Sequence, residues 1–507
     1  MIIEISRDLR ELTKALPMAM TEGENEISVR GLAYNTAHVK AGFVFFCLEG
    51  NKFDGHDFIP EAIKAGAAAI VMEKDREVRG AAKVLVPNVR SAMAVISQQF
   101  YGSPGDRLRL LGVTGTNGKT TTTHLIEALL AGQGFKTGLL GTNKYLIDGE
   151  SYPSLATTPE APDLQKFLHL MVEREVDYGV MEVSSHALEL GRVSGCDFDI
   201  AVLTNITTDH LDFHKTFERY LAAKGKLFSQ LGGNFFKGNK PRFAVLNSDD
   251  PNIDYFKRQS TVQIVTYGID NSADIKAEEI NIDAKGISYS LRTPWGNERF
   301  SLQMAGRFNV YNALAATTVA LLEGLPLALI KNILEGIPGV KGRFERVDLG
   351  QDFAVIVDYA HTPDGLEKVL QTAREMVQGK IITIFGCGGD KDREKRPVMG
   401  AIAATHSDYS ILTSDNPRSE DPWQIIEEVE AGLRKIKGSG SGYSVQPERY
   451  EAIKLGIELA RPGDMVIIAG KGHEDYQIIG DSTFPFNDRQ VATEIIKNRL
   501  FKNESSG

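Results

Sequence analysis

The chain has 507 residues, 42% hydrophobic and 24% charged, with a formal net charge of -10, enough material for about three domains with real cores. No run of lysine and arginine accumulates, which argues against a protein whose main affinity is for nucleic acid or an anionic membrane, since both need concentrated positive charge. No stretch approaches the ~20 apolar residues of a membrane span. The opening MIIEISRDLRELTKAL carries charges where a signal peptide has an apolar core. Cys47, Cys196 and Cys387 are odd in number and far apart, which fits a reducing compartment and no disulfide framework. A cytoplasmic location is expected.

In chain order, residues 1–104 read as a first α/β domain of short strands and one helix. AGFVFFCLEG (41–50) is a buried strand, and FIPEAIKAGAAAIVM is a helix feeding a second strand. YGSPGD (101–106) has the punctuation of a linker. In residues 105–337 the apolar runs RLLGV, TGLLG, YGVMEVS, DIAVLTNI and RFAVLNS alternate with helical segments, which predicts a parallel sheet covered on both faces. Residues 262–303 alternate polar and apolar without long helices and predict an antiparallel annex. Residues 338–507 repeat the alternation with FAVIVDYA, KIITIFGCGG, DYSILTSD and DMVIIAGKG, a second, Rossmann-like doubly wound sheet. KGSGSG (437–442) reads as a flexible surface loop and NESSG as a frayed tail. The expected fold class is α/β in three domains.

GVTGTNGKTT (112–121) follows the strand RLLGV and precedes the amphipathic run TTTHLIEALLAG. The standard phosphate loop is Gly, four residues, then Gly-Lys-Ser/Thr; counting back five from Gly118 reaches Val113, so the strict pattern fails by one position. Context decides the matter. Strand, glycine loop and helix N-terminus together form an anion cradle, and Gly112 and Gly115 supply a wide turn. Gly115, Thr116, Asn117, Gly118, Lys119, Thr120 and Thr121 are therefore candidate contacts to a nucleoside triphosphate, with Lys119 reaching the terminal phosphates and Thr120 offering its hydroxyl to Mg2+.

YGVMEVSSHAL (178–188) puts Glu182 at the end of a buried strand, and LTNITTDHLDFH (203–214) puts His210 after another. YLAAKGKLF (220–228) is a helix carrying Lys224. Singly, each has an ordinary explanation as a cap, a satisfied polar residue or a solvated lysine. Ends of adjacent parallel strands share one rim of a sheet, however, so these groups are expected beside the phosphate loop. GCGGDK, after KIITIF, is no dinucleotide fingerprint, because Lys391 stands where the last glycine is required.

TGTNGKTT, MEVSSHAL, TNITTDHLDFH, YLAAKGKLF, GRFNVYNALAA, KGRFERV, VDYAHTPDGLE, GCGGDKDREKRP, DNPRSEDP and AGKGHEDYQ together resemble the Mur ligase family, ATP-dependent amino-acid ligases of peptidoglycan synthesis. The resemblance covers nearly the whole chain. It implies that ATP phosphorylates the D-glutamyl γ-carboxylate of UDP-N-acetylmuramoyl-L-alanyl-D-glutamate and that the amine of meso-diaminopimelate then displaces phosphate. It implies Mg2+ ligands at Thr120, Glu182, His210 and a carbamylated Lys224; with Lys119, Glu182, His210 and Lys224 form the expected catalytic set. For adenine and ribose it points to Asn309, Asn312, Arg343, Asp358 and His361. For the UDP-sugar peptide it points to Thr157, Thr158, Ser184, Arg192 and Thr36, the last within Asn35-Thr36-Ala37, where the family commonly has Asp-Ser-Arg. Leu190 replaces a polar residue often found near Arg192.

DNPR, residues Asp415, Asn416, Pro417 and Arg418, resembles the signature of ligases that select diaminopimelate. A planar arginine suits the extra carboxylate, Asn416 can donate a further bond, and Gly470 and Glu474 would meet the distal amine. Lys391 stands where the family usually has arginine, which keeps the charge and loses the fork. A monomer is expected. Two rivals remain at this stage: folylpolyglutamate synthase, which shares the ATPase core but lacks the leading domain and DNPR, and a phosphate-loop ATPase doing conformational work without ligation.

Overall fold

The computed structural model describes residues 5–23, 26–50, 53–232, 236–283, 286–438 and 441–504. It divides into two compact units. One gathers the chain up to Gly115 with Ile126–Thr204 and Thr216–Val265; the other gathers Thr116–Leu125, Asn205–Lys215 and the chain from Thr266 onward.

In the first unit, a five-stranded sheet runs in the order Met20–Glu22, Ala82–Leu85, Ala67–Met72, Phe43–Phe46, Gly31–Ala33, parallel except for its first strand. Side chains alternate across a strand, so Val44 and Phe46 enter one core with Val71, Met93 and Ile96, while Phe45 enters another with Ile59 and Ile70. Both faces are covered, which is why FVFF reads as an unbroken apolar run. The sequence reading of one helix here is corrected: Leu9–Thr13, Ile59–Lys64 and Val89–Phe100 are all α-helical. The third buries Val89, Met93, Ile96 and Phe100, a helical spacing, and Asn88 caps it by accepting from the Ser91 N–H. YGSPGD is not an open linker either. Pro104 and Gly105 are buried in a 3-10 turn, and Lys237 donates to the Gly105 and Leu108 carbonyls at 2.6 and 2.9 Å.

The same unit holds Glu150–Tyr152, Tyr145–Ile147, Thr137–Leu140, Tyr178–Glu182, Arg109–Thr114, Ile200–Leu203 and Phe243–Asn247 in that order, the last five parallel as predicted. The hairpin Tyr145–Tyr152 was not anticipated. Its turn is Asp148-Gly149, both at positive φ (48° and 78°), the left-handed pair that a two-residue hairpin loop needs.

In the second unit, Ile275–Asp283, Gly286–Thr293 and Gly296–Leu302 pair antiparallel as predicted, but Tyr267 and Gly268 pair parallel with Ile275 and Lys276, which corrects the antiparallel reading at the start of 262–303. The sheet near the C-terminus has the order Glu345–Arg346, Ala354–Asp358, Met465–Ala469, Ile381–Phe385, Tyr409–Leu412, Tyr443–Val445, parallel apart from its first strand. Separate apolar cores cover its two faces, one with Leu366, Met399 and Leu433, the other with Ile453, Ile457 and Ile496. The carboxyl ends of these strands carry Asp358, Gly470, Gly386 and Thr413, the rim where open α/β sheets bind ligands. Of KGSGSG, residues 439 and 440 lie outside the described residues. The expected frayed tail is helical through Glu504, within Asp488–Glu504, and residues 505–507 lie outside the described residues. Among the described residues no helix is long and apolar enough to cross a membrane.

Candidate functional site

The phosphate loop leaves a fully buried strand, Arg109–Thr114, and the helix Lys119–Gly132 begins directly after Gly118. From Thr116 on, the loop is held by its neighbours in the second unit. The Thr116 N–H donates to the Asn205 carbonyl at 2.7 Å, and the Asn117 N–H donates to Asn205 Oδ1 at 3.1 Å. Thr116 Oγ1 donates to the Thr207 carbonyl and accepts from the Thr207 N–H. Lys119 Nζ folds back onto the Thr116 carbonyl at 2.8 Å. Asn117 Nδ2 donates to Asp364 Oδ2 at 2.6 Å, an oxygen that also accepts from Thr207 and Lys368.

The expected adenine and ribose residues join the same unit. Arg343 donates to Thr120 Oγ1 at 2.9 Å and lies over the Tyr359 ring at 4.7 Å. Thr122 Oγ1 donates to Asn312 Oδ1, Asn312 donates to Asn309 Oδ1, and Asn309 donates to the Ala305 carbonyl, a chain of buried polar groups behind the loop. Thr121 is buried. Asp358 accepts the Phe344 and Ala360 N–H groups at 2.6 and 2.7 Å. Burial pushes its carboxyl upward against the opposing pull of Arg343 and these two bonds. His361 donates through Nδ1 to the Tyr359 carbonyl, which leaves Nε2 as its acceptor. Asn309 and Arg343 also line a cavity of ≈ 640 Å³, ligand-sized by volume.

His210 stands in the left-handed region (φ 54°) ahead of Leu211–His214, with its side chain 44% exposed and Nε2 3.5 Å from Asp209.

Glu182 and Lys224 belong to the first unit. The Glu182 carboxylate is 1% exposed and accepts from the Thr142 N–H at 2.7 Å and Thr142 Oγ1 at 3.1 Å. A Cβ on Gly141 would lie 2.5 Å from Glu182 Oε1, so a larger residue there must displace the carboxylate. Thr157 meets Thr142 hydroxyl to hydroxyl at 3.0 Å. Thr158 donates to the Glu182 carbonyl and to Ser184 Oγ, and Arg192 donates to the Thr158 carbonyl and pairs with Glu160 at 2.9 Å. The four expected sugar-peptide residues Thr157, Thr158, Ser184 and Arg192 thus form one bonded cluster around the Glu182 strand end. Thr36 lies outside it, donating to Glu61 at 2.7 Å. Lys224 is buried on Phe217–Ser229; its Nζ donates to the Gly115 carbonyl at 2.8 Å and sits 4.8 Å from the Tyr220 ring centroid.

The second unit builds another cluster at the rim of its parallel sheet. The Gly389 N–H donates to the Asn416 carbonyl, Arg418 donates to the Gly389 carbonyl at 3.0 Å, and Ser419 donates to Asp390. From the other side, the Arg418 N–H donates to the Ile478 carbonyl, and Gln477 donates to the Asp415 carbonyl. Asp415, Asn416, Pro417 and Arg418 are thereby clamped between the Gly388–Asp390 loop and the hairpin Tyr476–Pro485. Gly470 packs against Asp415, and Glu474 accepts from Asn416 Nδ2 at 2.9 Å. Partial desolvation, followed by the nearby charges of Arg418 and Lys395, pushes the Lys391 ammonium downward; the exposure its side chain keeps lets solvent screen much of that effect. Sequence reasoning missed Thr142, Asn205, Asp364 and Lys471, each of which holds an expected site residue. Asn205 and Lys471 stood in quoted motifs two residues after strand ends, and Asp364 in the first turn of the helix Pro363–Met376, the signals that could have singled them out.

Family models match three stretches of the chain: the Mur ligase family catalytic domain at 28–101, the Mur ligase middle domain at 113–320 and the Mur ligase glutamate ligase domain at 342–472. A protein of Geobacillus thermodenitrificans named UDP-N-acetylmuramoyl-L-alanyl-D-glutamate--2,6-diaminopimelate ligase is 48% identical over 97% of this chain and 99% of its own. One of the same name from Syntrophomonas wolfei is 47% identical over the same shares. A solved structure of a ligase of that name superposes with a TM-score of 0.66 at 33% identity, covering 98% of this chain and 100% of that one. The MurF ligase of Thermotoga maritima in complex with ADP shares the fold, with a TM-score of 0.61 at 18% identity over 94% and 99%. The chain belongs to the Mur ligase family.

Proposed function

We propose that this chain is an ATP-dependent ligase that joins meso-2,6-diaminopimelate to UDP-N-acetylmuramoyl-L-alanyl-D-glutamate, as a cytoplasmic monomer making peptidoglycan precursor. The observation that carries the reading is the clamped Asp415–Arg418 loop facing Glu474. It offers a guanidinium and a carboxylate together, the complement of a distal amino-acid end that bears both charges.

In this reading the D-glutamyl carboxylate oxygen attacks the γ-phosphorus of ATP and ADP departs. The diaminopimelate nitrogen then attacks the acyl carbon, phosphate departs, and the nitrogen loses a proton. Both partners of the first step are anionic, so Lys119 must unfold from the Thr116 carbonyl toward the triphosphate to offset their repulsion. Gly115 to Thr121 cradle the phosphates. Asn309, Asn312, Arg343, Asp358 and His361 hold the nucleoside, and Thr36, Thr157, Thr158, Ser184 and Arg192 hold the sugar peptide.

For Mg2+, the oxygen donors Thr120 Oγ1 and Glu182 are chemically suited, with His210 as a further partner. Mg2+ is commonly held by one or two protein oxygens together with substrate phosphates. Lys224 as an ammonium would repel a cation; as a CO2-derived carbamate it would attract one. Bound Mg2+ would neutralise charge on the transferring phosphoryl group.

The test supplies purified protein with ATP, Mg2+, the UDP-dipeptide and either meso-diaminopimelate or L-lysine, with products identified by mass. The tripeptide should form only in the complete mixture with diaminopimelate. Phosphate release without the amino acid, or preference for lysine, would refute the assignment.

A further inference from the structure

Burying an ammonium is costly unless it is paired and hydrogen-bonded, and Lys471 is 0% exposed. Its Nζ donates to Glu474 Oε2 at 2.9 Å and to Asn416 Oδ1 at 3.1 Å, with the Tyr476 ring centroid 5.5 Å away. Asn416 Nδ2 donates to that same Glu474 Oε2. The three side chains close a triangle that ties the Asp415–Arg418 loop to the turn after Met465–Ala469.

We propose that Lys471 is a specificity-determining positioning residue: it fixes the Glu474 carboxylate where the distal ammonium of the amino-acid substrate is received. The inference rests on the proposed reading of this cluster as the diamino-acid site. Both bonds of the triangle fall on Oε2, so Glu474 presents Oε1 to an incoming ammonium. Asn416 is fixed by the same contacts: its Oδ1 accepts from Lys471 and from the Ile478 N–H at 3.0 Å. Without the lysine charge, Glu474 can swing toward solvent, and the substrate must spend binding energy to gather it back. That loss falls on amino-acid binding and spares phosphoryl transfer.

Lys471→Gln keeps a donor and most of the reach while removing the charge. The expected result is a KM for diaminopimelate raised about tenfold, with kcat within about twofold and the KM values for ATP and the UDP-dipeptide unchanged. Lys471→Arg keeps the charge but displaces Glu474 with its wider fork, and should leave the diaminopimelate KM about threefold above that of the unsubstituted chain. An unchanged diaminopimelate KM in Lys471→Gln overturns the inference, as does a rise shared by all three substrates, the sign of a merely structural lysine. Should Lys471→Gln fail to fold, Lys471→Arg carries the test, because its wider fork must still displace Glu474 and raise the diaminopimelate KM about threefold; no rise overturns the inference. Glu474→Gln and Arg418→Ala run alongside. If they raise the diaminopimelate KM while the Lys471 variants do not, the positioning role falls and the site stands. If they also leave it unchanged, the site reading itself falls.

Discussion

Two strands of this chain end in a glycine-rich loop that leads to a helix, and the two loops differ in where that helix begins. After Arg109–Thr114 the helix begins at Lys119, directly behind Gly118, so a lysine and the helix N-terminus stand together at the loop. After Ile381–Phe385 the helix does not start until Lys395, and its N-cap is the acidic Glu394. The second helix's first turn sends Arg396 inward, 0% exposed, onto Glu420, Glu428 and the Gly388 carbonyl. The Gly389 N–H is spent on the Asn416 carbonyl. Glycine and a parallel strand therefore do not by themselves make an anion cradle. Amides of both loops are spent on protein acceptors, those of Thr116 and Asn117 on Asn205, so what separates the two loops is where the helix begins.

The widest expected difference lies between the two loop lysines. Lys119→Ala should lower kcat about 10²–10³-fold, the scale of losing one transition-state charge partner. Lys391→Ala should raise the diaminopimelate KM about tenfold and leave ATP dependence intact. Steady-state kinetics with each substrate varied in turn would break the comparison if Lys391→Ala weakened ATP use instead. A smaller effect is expected at Gly389, where an added Cβ would lie 1.8 Å from the Pro417 carbonyl oxygen. Gly389→Ala must push the two loops apart at a cost of about 1–3 kcal/mol, visible as a lower urea midpoint and a higher diaminopimelate KM. Equal midpoints would show that the clasp is loose.

Both sheets were legible in the sequence because strands covered on two faces read as short apolar runs between helices. The helix Val89–Phe100 carries its own period and its Asn88 cap, and the 145–152 hairpin its Asp-Gly turn, so both elements have local signals in the sequence. The candidate residues were legible mostly through the family resemblance. Their supports were not. Thr142 reaches Glu182 across 40 residues of chain, and Arg343 reaches Thr120 across 223; no local period encodes such a pairing. Lys471 looks like a solvated lysine in AGKGHEDYQ, and only tertiary packing makes it a buried ion pair.

The most modest effect concerns what holds the second loop shut. The Arg396 guanidinium, bonded to the Glu420 carboxylate at 2.8 and 2.9 Å, lowers that carboxyl from 4.5 to about 2, helped by the Asp390 N–H and opposed by burial. A carboxyl depressed by folding stabilises the folded state fully above its unfolded value, and the stabilisation is lost as pH falls through the folded value. The window here is therefore from about 4.5 down to about 2, and the effect is modest because the Glu420 side chain keeps 17% exposure and solvent screens it. Urea midpoints measured across that window should fall more steeply for the unsubstituted chain than for Glu420→Gln, which has no proton to gain; carboxylates common to both cancel. Parallel curves would mean that the Arg396 pairing contributes nothing to the clasp, and the contrast between the two glycine loops would then rest on helix onset alone.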